Sequence, residues 1–154
     1  MATILSNGSM LYGVVDDAIF RFECFTALDL GQDTYSKIAI NCLDSKVKRS
    51  RRGSVEIGEG SITFQIEDDN PSHAKLFLLV ESGEEIDFYL GSGESDDAPT
   101  IAVDEVTLPT TRTWVTFSAY LNGANPTIEE DGVWTYAFPL IRTSEPTLPV
   151  LRST

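Results

Sequence analysis

The sequence predicts a mainly β protein: an antiparallel β-sandwich or barrel with one flanking α-helix and a long loop between early strands. Three observations carry this. Apolar and polar residues alternate in run after run, the period of a strand with one buried and one wet face. Only one stretch, after Asn70, changes to a helical period. Glycine, proline and asparagine punctuate the runs, and no internal repeat or heptad is present, which leaves about seven or eight strands packed with a single helix. The 154 residues suit one domain, 1–154, with irregular termini at 1–18 and 149–154.

In chain order, residues 1–18 give little regular signal. IFRFECF (19–25) reads as a strand with Phe20, Phe22 and Cys24 on one face, and YSKIAINCL (35–43) as a second with Ile38, Ile40 and Cys42 alternating with Lys37, Ala39 and Asn41. Cys24 and Cys42 are therefore expected as small buried hydrophobes, not as a disulfide. A basic stretch follows, and alternation resumes after Gly53. Residues 61–91 read strand, helix, strand. Ile62, Phe64 and Ile66 alternate with Thr63, Gln65 and Glu67; Asn70 is a helix cap, Pro71 fits the first helical position, and Gly83 supplies the left-handed stop. Asp68 and Asp69 precede the helix, where its dipole favours negative charge. Ala74, Phe77 and Leu78 with Leu76, Leu79 and Val80 form a broad apolar face, and Ile86, Phe88 and Leu90 begin the next strand.

SGESDDAP (92–99) is an acidic loop with no visible reason for order, and residues 100–108 read as one further strand. Residues 112–123 are a stronger one, with Val115, Phe117, Ala119 and Leu121 on one face. NGANP is a turn, and 132–142 is the last strong strand, with Trp134, Tyr136, Phe138 and Leu140 on one side; Pro139 removes a donor and points to an edge or bulge.

Charge is segregated. Residues 1–52 carry seven Lys/Arg against six Asp/Glu, and residues 53–154 four against eighteen, within a net charge of −13. Five of the eleven cations, Lys46, Lys48, Arg49, Arg51 and Arg52, lie in KVKRSRR. So acidic a remainder repels phosphates and anionic lipid, which disfavours a DNA-binding domain. No apolar run approaches the ~20 residues of a membrane span, and the N-terminus lacks a secretory pattern, so a soluble protein made in the cytoplasm is expected.

Chemistry is sparsely signalled. The one histidine, His73, has no second His or Cys pair with which to build a metal site or a triad, and is expected to face solvent from the first turn of the helix. The acids Glu67, Asp68, Asp69; Glu84, Glu85, Asp87; Asp96, Asp97; and Glu129, Glu130, Asp131 sit at turns and strand ends, the pattern of a solvated surface more than of a glycosidase pair, and none has calcium-loop spacing. No catalytic residue, metal or cofactor is assigned. The basic stretch is a solvated loop, a nucleic-acid contact lacking the aromatics that stack on bases, or a loop that docks on the acidic surface of an identical neighbour.

The order of these pieces resembles the major tail tube proteins of long-tailed bacteriophages. LDS at 43–45 ahead of a polar loop, GSITFQIEDDNPSHAKLFLLVESGEEIDFYLG at 60–91, and WVTFSAYLNG (114–123) with EEDGVWTYAFPLIRTSEPTL (129–148) carry the resemblance over roughly residues 20–148. The loop at 92–99 and the TLPTTR connection depart from the family pattern, and no appended immunoglobulin-like domain is expected. The resemblance implies a non-enzymatic virion tail subunit whose hexameric rings stack into a tube that conducts DNA into the host. Its partners would be copies of itself, tail terminator, tape measure and baseplate or tip proteins, and passing DNA without specific binding. The family's inter-ring loop matches residues 43–56, with Lys46, Lys48, Arg49, Arg51 and Arg52; Glu67, Asp68, Asp69, Glu84, Glu85, Asp87, Glu129, Glu130 and Asp131 become candidates for partner or lumen surfaces. Alternatives are a related inner-tube or tail-terminator ring of a contractile or secretion-type system and, from a different class, an acidic carbohydrate-binding sandwich.

Overall fold

The computed structural model describes residues 7–44, 46–102, 105–130, 132–144 and 149–151. They form β1 (Met10–Val15), β2 (Ala18–Phe22), β3 (Phe25–Asp29), β4 (Thr34–Ile40), β5 (Arg49–Glu56), β6 (Glu59–Gln65), α1 (Pro71–Ser82), β7 (Ile86–Gly91), β8 (Thr100–Ala102), β9 (Glu105–Thr107), β10 (Trp114–Leu121), β11 (Pro126–Thr127) and β12 (Thr135–Arg142). The main sheet is antiparallel throughout, in the order β2-β1-β7-β10-β12-β6-β3, with β11 added on β12. β4–β5 and β8–β9 are separate two-stranded ribbons.

The two ends of that order are β2 and β3, yet only Glu23 and Cys24 separate them in the chain. Three peptide steps span at most about 11 Å, so the sheet must roll until its edges nearly meet. Cys24 turns the corner with φ 60°, and its carbonyl accepts the Gln65 N–H at 3.0 Å. This corrects the expectation of one strand over 19–25. It also brings Phe22 within 6.4 Å, ring centre to ring centre, of Phe64, whose strand β6 lies near the other end of the order.

The inside of the roll is the expected apolar face of each strand: Ile62 and Phe64, Ile86 and Phe88, Phe117, Ala119 and Leu121, Phe138 and Leu140. Leu11 and Val15 join them from β1, a strand that the small residues of 1–18 did not announce. α1 closes one side. Asn70 Oδ1 accepts the Ser72 N–H at 3.0 Å, Pro71 opens the helix, and Gly83, at φ 70°, returns its N–H to the Leu79 carbonyl at 3.0 Å, as the sequence indicates. The helix buries His73, Leu76 and Leu79, sets Phe77 edge-on against Tyr136, and leaves Ala74 and Leu78 exposed.

Three further expectations change. Where one strand over 100–108 is expected, Thr100–Ala102 and Glu105–Thr107 form two short strands, β8 and β9, paired with each other, while Val103 and Asp104 lie outside the described residues. The loop at 92–99 is tied down by a buried arginine: Arg112 Nε donates to the Ser92 carbonyl at 2.8 Å and Nη1 to the Asp97 carbonyl at 3.1 Å, while the guanidinium lies over Trp114. Pro139 is in no edge strand, since β12 lies between β10 and β6. The Pro139 carbonyl accepts from Asn122 just past the last β10–β12 pair, so its missing N–H also faces that ladder's end and costs one terminal bond.

Candidate assembly surfaces

The basic segment is mostly strand. Arg49, Arg51 and Arg52 lie on β5, which pairs with β4, and Lys46 and Lys48 in the connection at its tip; all five are exposed. At about 3.3 Å per residue, β4 alone projects about 23 Å. The ribbon packs on itself and on no other element to any appreciable extent. It is an arm.

The pairing register sorts the arm's side chains. Ile38 faces Arg51 and Ile40 faces Arg49, so one surface carries two isoleucines and two arginines; Lys37 and Arg52 lie on the other, where Arg52 covers the Tyr35 ring at 4.2 Å. A bulge between the Tyr35–Val55 and Lys37–Arg52 pairs brings Gly53 so close to β4 that a Cβ there would stand 2.1 Å from Ser36 Oγ. Ile38 is 54% exposed, Val47 68%, and Leu43 fully exposed. The expected burial of Ile38, Ile40 and Cys42 on an inner face is therefore corrected: Cys42, like Cys24, is exposed. The alternation is real but faces solvent within the single chain.

The arm's root is rigid. Asp33, just before β4, pairs with Arg142 at the end of β12 and accepts the Gly58 N–H just after β5 at 3.2 Å; Arg142 Nε donates to the Leu30 carbonyl at 3.1 Å. Both strands of the arm are thus fixed to the rolled sheet through one carboxylate.

The acids fall into separate places. Glu67, Asp68 and Asp69 form the exposed β6–α1 turn. Glu67 is engaged: its carboxylate accepts from Cys24 Sγ at 3.1 Å and Asn70 Nδ2 at 3.2 Å. The Cys24 bond, then the Asn70 bond, holds the Glu67 carboxyl below its ordinary range, and the same Glu67 contact, with burial adding, raises the Cys24 thiol. Glu84, Glu85 and Asp87 share a cleft with Asp16 and Asp17 of the β1–β2 turn. Glu129 and Glu130 are exposed beside β11, while Asp131 lies outside the described residues. His73 is 1% exposed, not solvent-facing. Its Nδ1 accepts the Glu67 N–H at 3.0 Å, so Nε2 carries the proton and donates to the Glu23 carbonyl at 2.8 Å. Both nitrogens are used in clamping the β2–β3 corner to the helix. The signal for this was its spacing: His73 lies three residues before Leu76 on the buried face.

Known proteins share this overall fold. Residues 2–150 match the family described as "Phage tail tube, TTP, lambda-like". The chain belongs to this tail tube family. A relative named structural protein 3, from Pseudomonas phage PAJU2, is 22% identical over 152 residues, covering 94% of this chain and 93% of its own length. Among solved structures, the SPP1 tail tube is similar with a TM-score of 0.59 at 14% identity, covering 94% of this chain and 78% of that one. A chain of the anti-feeding prophage baseplate, 6-fold symmetrised, gives 0.62 at 10% identity over 94% of each. A chain in the tail of an empty GTA particle, refined with C6 symmetry, gives 0.58 at 8% identity over 98% of this chain and all of that one. At these identities the structures show the fold, and the family match makes the chain a structural component of the phage tail.

Proposed function

We propose that this tail tube subunit, as one domain over 1–154, forms six-membered rings that stack into a hollow tube through which DNA passes during ejection. The single observation that carries the reading is the arm: a two-stranded ribbon with Ile38, Leu43 and Val47 in solvent is marginal alone and complete only against a partner. The six-fold symmetry of two structural neighbours, one 6-fold symmetrised and one refined with C6 symmetry, supports the ring number. The arm's cations, Lys46, Lys48, Arg49, Arg51 and Arg52, suit an acidic neighbour, and a chain of net charge −13 offers one. Glu84, Glu85, Asp87, Glu129 and Glu130 are the proposed lumen acids, which repel phosphates and let duplex DNA slide. The role is structural and needs no catalysis: the lone histidine is buried with both nitrogens occupied. Tail terminator, tape measure and baseplate or tip proteins are the proposed partners along and at the ends of the tube.

Electron microscopy of the purified protein at rising concentration tests this. Rings and tubes are expected; a persistent monomer with sugar affinity returns the chain to the carbohydrate-binding class. Likeness to a baseplate chain favours a second reading, a terminal or inner-tube ring, in which single rings form and do not lengthen. Charge reversal at Arg49, Arg51 and Arg52 is expected to leave a folded subunit that no longer stacks, and unchanged tube length refutes the docking role.

A further inference from the structure

The receptor for the arm is legible on the same chain. Where the β6–α1 turn meets the start of β12, Ile66, Glu67, Asp68, Asp69 and Trp134 line a cleft of about 480 Å³. Trp134 is 54% exposed, and its carbonyl accepts the Ile66 N–H at 3.0 Å, so the indole is held beside the acidic turn. The three acids are not equivalent. Glu67 is already bound to Cys24 and Asn70, whereas, among the described residues, the Asp68 and Asp69 side chains make no hydrogen bond. The cleft therefore presents an apolar floor and two uncommitted carboxylates at its rim.

The arm presents the complement. Ile38 and Ile40 share a face with Arg49 and Arg51, and neither arginine meets a carboxylate among the described residues. Two branched apolar side chains suit Ile66 and the indole face, and two guanidinium groups suit two carboxylates and can also stack on the tryptophan. Within its own chain the arm stands off the rolled sheet, so the pairing joins two copies.

We propose that the cleft under Trp134 receives the Ile38–Ile40–Arg49–Arg51 face of the arm of a second copy of this chain, with Asp68 and Asp69 as the arginine partners and Glu67 shaping the turn. This rests on the stacking reading above and adds its receptor. Glu84, Glu85 and Asp87 then lie outside the contact.

The test is a charge exchange read by microscopy and sedimentation. Asp68→Lys with Asp69→Lys places like charges together and is expected to leave rings intact but raise the concentration needed for tube growth by more than about 100-fold. Trp134→Ala weakens growth, and Glu84→Gln, exposed and outside the contact, leaves it close to wild type. Arg49→Asp with Arg51→Asp blocks growth alone, and combining it with the double lysine variant restores it. All of these side chains are exposed, and a thermal melt confirms that each variant is folded. Wild-type tubes unaffected by the Asp68/Asp69 reversal, or no rescue in the combined variant, overturn the cleft alone. A wild-type protein that never forms tubes overturns the stacking reading and the cleft with it.

Discussion

Arg142 and Asp33, 109 residues apart, form a buried ion pair at the root of the arm, with side chains only 5% and 11% exposed. Attraction inside a protein offsets desolvation only when the remaining donors and acceptors are satisfied, and here Leu30 and Gly58 supply those partners. Removing one member leaves the other charge buried and alone. Arg142→Met is expected to cost about 3 kcal/mol in urea unfolding, and a double variant with Asp33→Asn to recover part of it. The Arg142→Met protein should also stack poorly at temperatures where it remains folded, because the same pair aims the arm.

The β1–β2 turn is strained. Asp16 and Asp17 have φ of 51° and 62°, the left-handed pair that a two-residue hairpin requires and that Asn-Gly adopts far more easily. The two carboxylates also crowd Glu84, Glu85 and Asp87. Asp16→Asn with Asp17→Gly is expected to raise stability by about 1 kcal/mol, seen as a rise of a few degrees in Tm. A fall in Tm would show that the aspartates make contacts worth more than the strain.

How far the sequence reveals such features depends on how local their causes are. Asn70, Pro71 and Gly83 announce α1 because capping is settled within a few residues, and Ile62 with Phe64 announces a core strand because alternation needs only one buried face. The same alternation at Ile38 and Ile40 gives the strand correctly but not its surroundings, since period two does not say whether the apolar face meets the chain's own core or another molecule. At Cys24 the alternation runs straight through a corner, because a positive φ on a non-glycine residue leaves no mark in the pattern. Arg142 carries no local sign of its role, its partner being 109 residues away. The basic cluster is visible from charge alone, with docking on an acidic neighbour as one of three readings; which of its arginines share a face is not, because that follows from the β4–β5 register and its bulge.

Cys24 and Glu67 give a pH-dependent test of the turn beneath the proposed receptor. The thiol donates to the carboxylate, which raises the Cys24 pKa and lowers that of Glu67. A lowered carboxyl stabilises above its unfolded pKa, and that contribution is lost as pH falls through the folded value. A raised thiol stabilises below its unfolded pKa, and that is lost as pH rises through the folded value. The bond is thus strongest near neutral pH. Glu67→Gln removes the charge that suppresses the thiolate, so Cys24 is expected to react severalfold faster with iodoacetamide at pH 8 than in the wild type. Equal rates, read by peptide mass spectrometry with Cys42 as internal reference, would mean that the bond does not form in solution.

The arm should be dispensable for folding and indispensable for assembly. β4 and β5 pack on each other, their apolar side chains face solvent, and the groups that close the root, Asp33, Gly58 and Arg142, lie outside both strands or on β12. Replacing residues 36–54 by a short glycine-containing turn therefore removes little buried surface from the rolled sheet, and a shorter loop costs less closure entropy. The shortened chain is expected to unfold within about 1 kcal/mol of the full-length protein, because few core contacts are lost. Rings that form without lengthening would assign the arm to stacking. Loss of rings as well would place part of the arm's contact within the ring, and a chain that no longer folds would mean that the ribbon belongs to the core after all.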